Sequence, residues 1–286
     1  MSADAEILRR RETASNIWKK CTGCGVRVEA EALAANLGVC PSCGHHRRLA
    51  PLERASWLFD PGTFRPRRHR LRSTDPLGFR VRSGEDPAPE EPVIYGTGSI
   101  DGGRCAAALM DFFQAGGTLG AVAGELICRA GELSLSEGIP LLLVTASGGA
   151  RVQEGAVALL QMAKTMVTMN ELHEAGIPVI ALLCDPTSGG VAASFAYAAD
   201  FILAEPGALV CFSGPRVAEQ AAGIRFPEEF ARAERLLERG LVDMVVPRHE
   251  QRRVIGDLLA FLEGSERRLM RREDRRVRES AEWDQG

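Results

Sequence analysis

A unit that recurs three times within residues 93–200 limits the possible folds of this chain more than any other feature. Each unit has a short apolar run, then a Gly-Gly pair, then a stretch whose apolar residues have helical spacing. Strands that alternate with helices favour an α/β domain with a largely parallel sheet, and ligands usually bind at the strand ends of such sheets. The predicted turns from strand to helix are Gly116-Gly117, Gly148-Gly149 and Gly189-Gly190.

Composition and cysteine content divide the 286 residues into four parts. Residues 1–50 contain two pairs of cysteines and are predicted to form a small zinc-ribbon domain. Residues 51–92 are expected to be a linker, because most of them belong to a stretch rich in Arg, Pro, Gly and Asp without apolar periodicity. Residues 93–250 are predicted to form the α/β domain, and residues 251–286 a charged surface helix with a tail.

The overall composition excludes several classes of protein. With 45% apolar and 26% charged residues, the chain is neither a mostly disordered protein nor a coiled coil. Its longest apolar runs are well short of the roughly 20 residues needed to cross a bilayer, so no transmembrane helix is expected. The first residues lack the apolar stretch of a secretory signal, which predicts a cytoplasmic protein with reduced thiols.

The two cysteine pairs have the spacing of a zinc site. Two Cys-x2-Cys pairs separated by 15 residues can supply four thiolates to one tetrahedral zinc ion, which leaves no open position for catalysis. Two alternatives stay open: four thiols without a metal, and a site in which His45 or His46 replaces one cysteine. The predicted ligands of this structural zinc are Cys21, Cys24, Cys40 and Cys43.

The Gly-Gly pairs are candidates for a site that stabilises negative charge. Glycine lets the backbone approach a ligand closely, and the first N–H groups of the following helix have no intrahelical acceptor. Such donors suit a developing enolate or oxyanion. One pair alone would only indicate a tight turn, but three pairs in equivalent positions favour a ligand site. The sequence has no phosphate-binding loop, no nucleophile elbow and no catalytic histidine spacing, so no side-chain triad is predicted.

From Trp18 to about Pro247 the chain resembles the carboxyltransferase beta subunit of bacterial acetyl-CoA carboxylase. The resemblance implies a crotonase-like fold of repeated ββα units behind a four-cysteine zinc ribbon. The runs that carry it are, in order, 39–46 (VCPSCGHH), 147–155 (SGGARVQEG), 185–191 (DPTSGGV), 204–208 (AEPGA) and 214–216 (GPR).

The resemblance also implies an activity and partners. Members of this family pair with a homologous alpha subunit in an α2β2 complex and act together with biotin carboxylase. Carboxybiotin on a biotin carboxyl carrier protein donates its carboxyl group to acetyl-CoA, which gives malonyl-CoA for fatty acid synthesis. After loss of CO2, the ureido nitrogen of biotin is basic enough to take the α-proton of the acetyl group. The protein then has to position the reactants and stabilise oxyanions.

By the same resemblance, individual residues acquire roles. The amides of Gly148 and Gly149 are assigned to an oxyanion pocket, to which Gly189 and Gly190 also contribute. Gly116 and Gly117 are assigned to a turn near the CoA side. Arg151 and Arg216 are candidates for contact with a CoA phosphate or the biotin carboxylate. Each arginine has an alternative partner in a nearby carboxylate, Glu154 or Glu219.

Three departures from the family pattern leave room for a specialised paralogue with a different acyl-CoA. They lie in the turn at 114–120, in a shorter and proline-rich stretch at 78–92, and at Val152.

Two other functions are kept as alternatives. A biotin-independent decarboxylase or hydratase of the crotonase type would use the same oxyanion pocket without a partner. A nucleic-acid-binding zinc ribbon would explain the basic front of the chain, where residues 1–72 contain 14 Lys/Arg and 7 Asp/Glu. The same charge is also expected of a solvated face or of one that meets acidic CoA.

Overall fold

The centre of the fold is a mostly parallel sheet. The computed structural model describes residues 17–79, 91–227 and 229–264, without the side chains at 215 and 216, and eight strands of this part form one sheet. The strands are β1 (Trp18–Lys20), β2 (Arg27–Glu29), β3 (Arg65–Pro66), β4 (Val93–Ile100), β5 (Gly103–Met110), β6 (Leu141–Ser147), β7 (Val179–Ser188), β8 (Phe201–Ala204), β9 (Val210–Cys211) and β10 (Met244–Val245).

The sheet has the order β10-β8-β7-β6-β5-β4-β3, and β9 pairs with the end of β7. The pairs from β5 to β10 are parallel, whereas β3 and β4 add an antiparallel edge. Strands β1 and β2 form a separate antiparallel pair. The predicted α/β class is confirmed, because neighbouring parallel strands are joined through helices.

Helices cover both faces of the sheet. None of those in the described part combines the length and the apolarity that crossing a bilayer requires. The helices are α1 (Ala30–Ala35), α2 (Pro51–Leu58), α3 (Ala121–Glu137), α4 (Ala156–Glu174), α5 (Gly189–Val191), which continues as a π-helical turn (Ala192–Ala196), α6 (Pro215–Ala222), α7 (Ala233–Glu238) and α8 (248–264).

Two apolar cores result from this arrangement. Helices α3 and α4 pack on one face of the sheet, where Leu126 and Met169 are fully buried. Helices α2 and α8 cover the other face through Leu58, Phe59 and Leu259. The strand β5 contributes alternate residues to both cores, as expected for a strand buried on both sides.

The linker prediction for 51–92 is wrong in its first part. Residues 51–58 form α2, which starts at a proline in the first helical turn, and Leu58 and Phe59 are buried in the second core. This helix was not predicted because it is short and was grouped with the polar stretch that follows it at 60–92. Residues 80–90 of the predicted linker lie outside the described part.

Part of the predicted charged helix near the C-terminus lies in α8, one face of which is buried. Gln251, Ile255 and Leu259 recur every four residues along α8 and are buried. The predicted tail at 265–286 lies outside the described residues.

A buried carboxylate ties four segments of the fold together. Glu205, directly after β8, accepts hydrogen bonds from Arg54 of α2 at 2.9 Å and from Arg248 of α8 at 2.7 Å. Arg248 also donates to the carbonyl of Leu37 in the cysteine segment at 2.8 Å. Burial alone would raise the pKa of Glu205, but the two guanidinium groups outweigh it and hold this pKa well below its usual range. Ionised Glu205 therefore stabilises the fold at neutral pH, and this contribution is lost only in strong acid.

We expect Glu205→Ala to lower the free energy of unfolding by about 3–5 kcal/mol, because it leaves two buried guanidinium groups without their counterion. The control is Glu238→Ala, which removes an exposed ion pair with Arg235 and should cost less than about 1 kcal/mol. Urea denaturation of both variants measures the difference. Equal midpoints for the two variants would contradict the role of Glu205.

Candidate active site

The structure brings the three predicted Gly-Gly turns together at one edge of the sheet. Strands β5, β6 and β7 are parallel neighbours, so the turns that follow them lie side by side. The amide of Gly148 donates to the carbonyl of Gly116 at 2.9 Å. A side chain at Gly149 would place its Cβ only 3.2 Å from the Cα of Gly189. The three turns are therefore in direct backbone contact.

Two positions show why this contact needs glycine. Gly117 has a φ of +64°, and a Cβ there would lie 2.0 Å from the carbonyl oxygen of Ala146. Gly149 has a φ of +106°, a conformation that L-residues rarely adopt. Any side chain at these positions would separate the turn from the end of β6 or from the neighbouring turn.

One predicted oxyanion donor is already used inside the protein. Because the Gly148 amide donates to Gly116, the prediction that it stabilises an oxyanion is wrong. The Gly149 amide donates to the hydroxyl of Ser147 at 3.0 Å. Sequence reasoning missed these partners, since one of them comes from a different turn.

Ala150 is a donor that the sequence did not indicate. Leu119 donates to the carbonyl of Gly149 at 2.8 Å and accepts from the amide of Arg151 at 2.9 Å. In such a parallel bridge the N–H of the intervening residue, Ala150, points to the opposite side. Its nitrogen lies 3.8 Å from the position of a Cβ on Gly189. The Ala150 nitrogen thus lies beside the turn that begins α5, and the pairing with Leu119 fixes its position.

Arg151 is a structural residue, and its prediction as a ligand contact is wrong. The side chain is almost completely buried and forms ion pairs with Glu154 at 3.0 Å and with Glu91 at 3.2 Å. The other oxygen of Glu154 accepts the amide of Ala121, the first residue of α3, at 2.6 Å. The alternative partner, Glu154, is therefore the one that the structure shows. For Arg216, the side chain lies outside the described part, so its role stays a prediction.

The four predicted cysteines form a cluster suited to one metal ion. All four sulfur atoms lie within 4.8 Å of one another, with Cys21–Cys43 at 3.7 Å and Cys24–Cys40 at 3.9 Å. A tetrahedral zinc ion with Zn–S bonds of about 2.3 Å requires S–S separations of about 3.8 Å. The cluster fits this geometry. A backbone hydrogen bond from Ser42 lowers the pKa of Cys40 to about 6, which favours the thiolate that zinc requires.

The two histidines beside this cluster have other partners. His45 forms a hydrogen bond with the hydroxyl of Thr22 at 2.8 Å. His46 is buried, and its Nε2 accepts the backbone amide of Arg248 at 3.1 Å. Burial also lowers the pKa of His46, which keeps the ring neutral. The four-cysteine set therefore fits the structure better than a set with one histidine.

Two family models match consecutive parts of the chain. Residues 18–43 match the acetyl-CoA carboxylase zinc finger domain, and residues 45–267 match the carboxyl transferase domain. The chain belongs to the carboxyl transferase family. The predicted crotonase-like domain behind a four-cysteine ribbon is thereby confirmed.

Several members of the family are similar over most of this chain. The acetyl-coenzyme A carboxylase carboxyl transferase subunit beta of Thermus thermophilus is 42% identical over 277 residues, which cover 92% of this chain and 96% of the relative. The subunits beta/alpha protein of Salinispora tropica is 45% identical over 259 residues, which cover 87% of this chain. This chain spans about 45% of the length of that relative.

Two solved structures have a similar fold. A chain of the transcarboxylase 12S hexamer with hydrolysed methylmalonyl-coenzyme A bound has a TM-score of 0.64 at 28% identity, over 85% of this chain and 48% of that one. A chain of the Pseudomonas malonate decarboxylase hetero-tetramer in complex with malonate has a TM-score of 0.62 at 26% identity, over 76% of this chain and 82% of that one.

The contact between the turns can be tested at two adjacent glycines with the same φ of +64°. Gly116→Ala should cost about 1–2 kcal/mol, the price of a left-handed alanine, because its Cβ meets only Thr118 at 3.9 Å. Gly117→Ala should cost about 1–3 kcal/mol more, since the carbonyl of Ala146 has to move. Denaturant unfolding of both variants measures the difference, and equal losses would be incompatible with the proposed packing.

Proposed function

We propose that the chain is the beta-type subunit of an acetyl-CoA carboxylase carboxyltransferase. It transfers the carboxyl group of carboxybiotin, held on a biotin carboxyl carrier protein, to acetyl-CoA and thus forms malonyl-CoA for fatty acid synthesis. The observation that carries this proposal is the convergence of three Gly-Gly turns at the carboxyl ends of β5, β6 and β7. The similarity of the cysteine segment to the zinc finger of acetyl-CoA carboxylase supports the same choice.

The amides of Ala150 and Gly190 are the proposed donors to the thioester oxygen. The Ala150 N–H faces the turn at Gly189, and Gly190 lies in the first turn of a helix, where N–H groups have no intrahelical acceptor. Gly149 and Gly189 contribute by the absence of a side chain, which lets the substrate approach both amides. Gly116 and Gly117 hold the turn on the proposed CoA side. Fixed backbone donors of this kind stabilise an enolate without reorganisation.

Carboxybiotin would supply the carboxyl group and, after decarboxylation, the base that takes the α-proton. The chain would then need no catalytic side chain, which agrees with the structural use of Arg151 in a buried ion pair. Its task is to position the thioester against the carboxyl donor and to exclude water. For the cysteine cluster we propose one structural zinc ion, because four thiolates leave no coordination site for a substrate.

An alpha-type subunit is the proposed partner, and α4 supports its presence. The helix exposes several large apolar side chains, among them Leu160, which is 64% exposed. Contiguous exposed apolar patches on soluble proteins usually mark interaction sites. These side chains are Val157, Leu159, Leu160, Met166 and Val167. The cytoplasmic location stays a prediction from the sequence.

The function is tested by exchange of a radiolabelled carboxyl group between malonyl-CoA and free biotin. We expect exchange when the purified chain is combined with the alpha-type subunit of its own source, and none with either protein alone. The reason is that this chain supplies the thioester site and the partner supplies the biotin site. Absence of exchange by the pair would contradict the proposal. Biotin-independent loss of CO2 from malonyl-CoA by this chain alone would favour a decarboxylase instead.

The partner surface is tested by Leu160→Asp, with Leu52→Asp as the control. Both leucines are exposed, by 64% and 63%, so neither charge is expected to unfold the chain. Leu160→Asp should prevent formation of the complex with the alpha-type subunit, because an aspartate would be buried at the interface. Light scattering after size-exclusion chromatography measures this. A complex of normal size with Leu160→Asp would exclude α4 from the interface.

A further inference from the structure

Two serine hydroxyls hold the backbone of the turn at Gly148-Gly149 in a fixed conformation. The peptide group between Ser147 and Gly148 is hydrogen-bonded at both of its ends. Its N–H donates to the carbonyl of Gly116 at 2.9 Å, and its C=O accepts the hydroxyl of Ser188 at 3.1 Å. Ser188 is the last residue of β7 and follows Ser147 by 41 residues. This one peptide group therefore connects the first glycine turn to the third.

The next two peptide groups of the same turn are fixed as well. The N–H of Gly149 donates to the hydroxyl of Ser147 at 3.0 Å, and Ser147 is completely buried. The carbonyl of Gly149 accepts the amide of Leu119 at 2.8 Å. The N–H of Ala150 belongs to the same planar peptide group as this carbonyl and has no hydrogen-bond partner among the described residues. Its orientation is therefore set by the hydrogen bonds that precede it in the turn.

The serine hydroxyls act at a place where the sheet is irregular. The pairing of β6 with β7 is regular up to Thr145, and its register then shifts between Thr145 and Ser147. Such a shift interrupts the ladder of backbone hydrogen bonds between two strands. Here the buried hydroxyls of Thr145 and Thr187 meet at 2.8 Å, and the hydroxyl of Ser188 donates to Ser147 beyond them. Side chains therefore supplement the backbone in holding the two strand ends together.

Ser188 stands at a position where serine usually has another role. It directly precedes the first turn of α5, where a serine hydroxyl commonly accepts an amide at the start of the helix. Ser188 forms no such capping bond, and its hydroxyl donates to the carbonyl of Ser147 instead. Helix capping thus does not account for this serine. Within the described part of the chain, its side chain serves the neighbouring turn.

We propose that Ser147 and Ser188 are positioning residues of the thioester site, which hold the N–H of Ala150 in the direction that the thioester oxygen requires. This inference rests on the proposed function, because it explains how a proposed oxyanion donor is kept in place. Neither hydroxyl touches the substrate, since one is buried and the other donates to a backbone carbonyl. A donor held in this way needs no reorganisation when negative charge develops on the oxygen.

The main test is Ser188→Ala in the complex with the alpha-type subunit, measured by exchange of a radiolabelled carboxyl group between malonyl-CoA and free biotin. We expect kcat to fall about tenfold, less than the roughly 100- to 1,000-fold loss for removal of a donor, because the donor remains but is held less firmly. The KM for malonyl-CoA should change by less than about twofold, since the lost stabilisation belongs to the transition state. Ser147→Ala should have the same effect.

Two controls separate positioning from a general loss of stability. Ser188→Thr keeps the hydroxyl and a side chain suited to a strand, so its kcat should stay within about twofold of the wild type. Thr145→Val removes a buried hydroxyl from the same pair of strands without contact to the turn. It should lower the urea midpoint at least as much as Ser188→Ala while kcat stays normal. A normal kcat for Ser188→Ala, a rise of KM alone, or an equal fall of kcat for Thr145→Val would overturn the proposal.

Binding of an enolate analogue distinguishes a failure of this inference from a failure of the proposed function. The probe is the nitroethyl thioether of CoA, whose ionised nitronate group carries negative charge on oxygen as an enolate does. The ethyl thioether of CoA is the reference without this charge. Ser188→Ala should weaken calorimetric binding of the nitronate about tenfold and leave that of the ethyl thioether unchanged.

This binding result without any carboxyl exchange would mean that the serines position a donor in an enzyme with another reaction. If Ser188→Ala binds both analogues as the wild type does, the inference is wrong even when carboxyl exchange occurs.

Discussion

The direct backbone contact between the glycine turns is the constraint on which the rest of the site depends. Gly148 donates to Gly116, and Gly149 lies against Gly189, where a Cβ on either residue of this second pair would hold the backbones apart. This contact fixes the ends of three parallel strands relative to one another. It also decides which backbone amides form hydrogen bonds within the protein and which ones face outward. The groups available for chemistry at this edge of the sheet therefore follow from its packing.

Buried charges hold the surrounding segments in place. Arg151 and Glu154 connect the turn after β6 to the first residue of α3, and Glu205 connects α2, α8 and the ribbon. Charged groups in such positions are matched by their partners and are not available to a substrate. The proposed reaction is compatible with this, because its base comes from the biotin of a partner and its charge stabilisation comes from backbone amides.

The ribbon has few core residues of its own. Its buried apolar cluster consists of Val28, Leu33 and Cys40, which is too small to fold such a segment alone. A metal ion in the cysteine cluster and the hydrogen bond from Arg248 to Leu37 would together fix its position on the domain. Arg47 and Arg48 follow the last cysteine by only a few residues, so their placement depends on both attachments.

The sequence by itself determined the α/β class, the glycine turns and the four-cysteine set, because spacing and periodicity express contacts between residues close along the chain. It could not give the partner of the Gly148 amide, the direction of Ala150 or the packing of α2. Arg54 and Glu205 are 151 residues apart, and Arg48 and Asp185 are 137 apart. Such pairs form only when the sheet brings distant segments together, and no local pattern records which charge meets which. The tertiary structure alone therefore decided that Arg151 is part of the scaffold and that Arg248 attaches the ribbon to the domain.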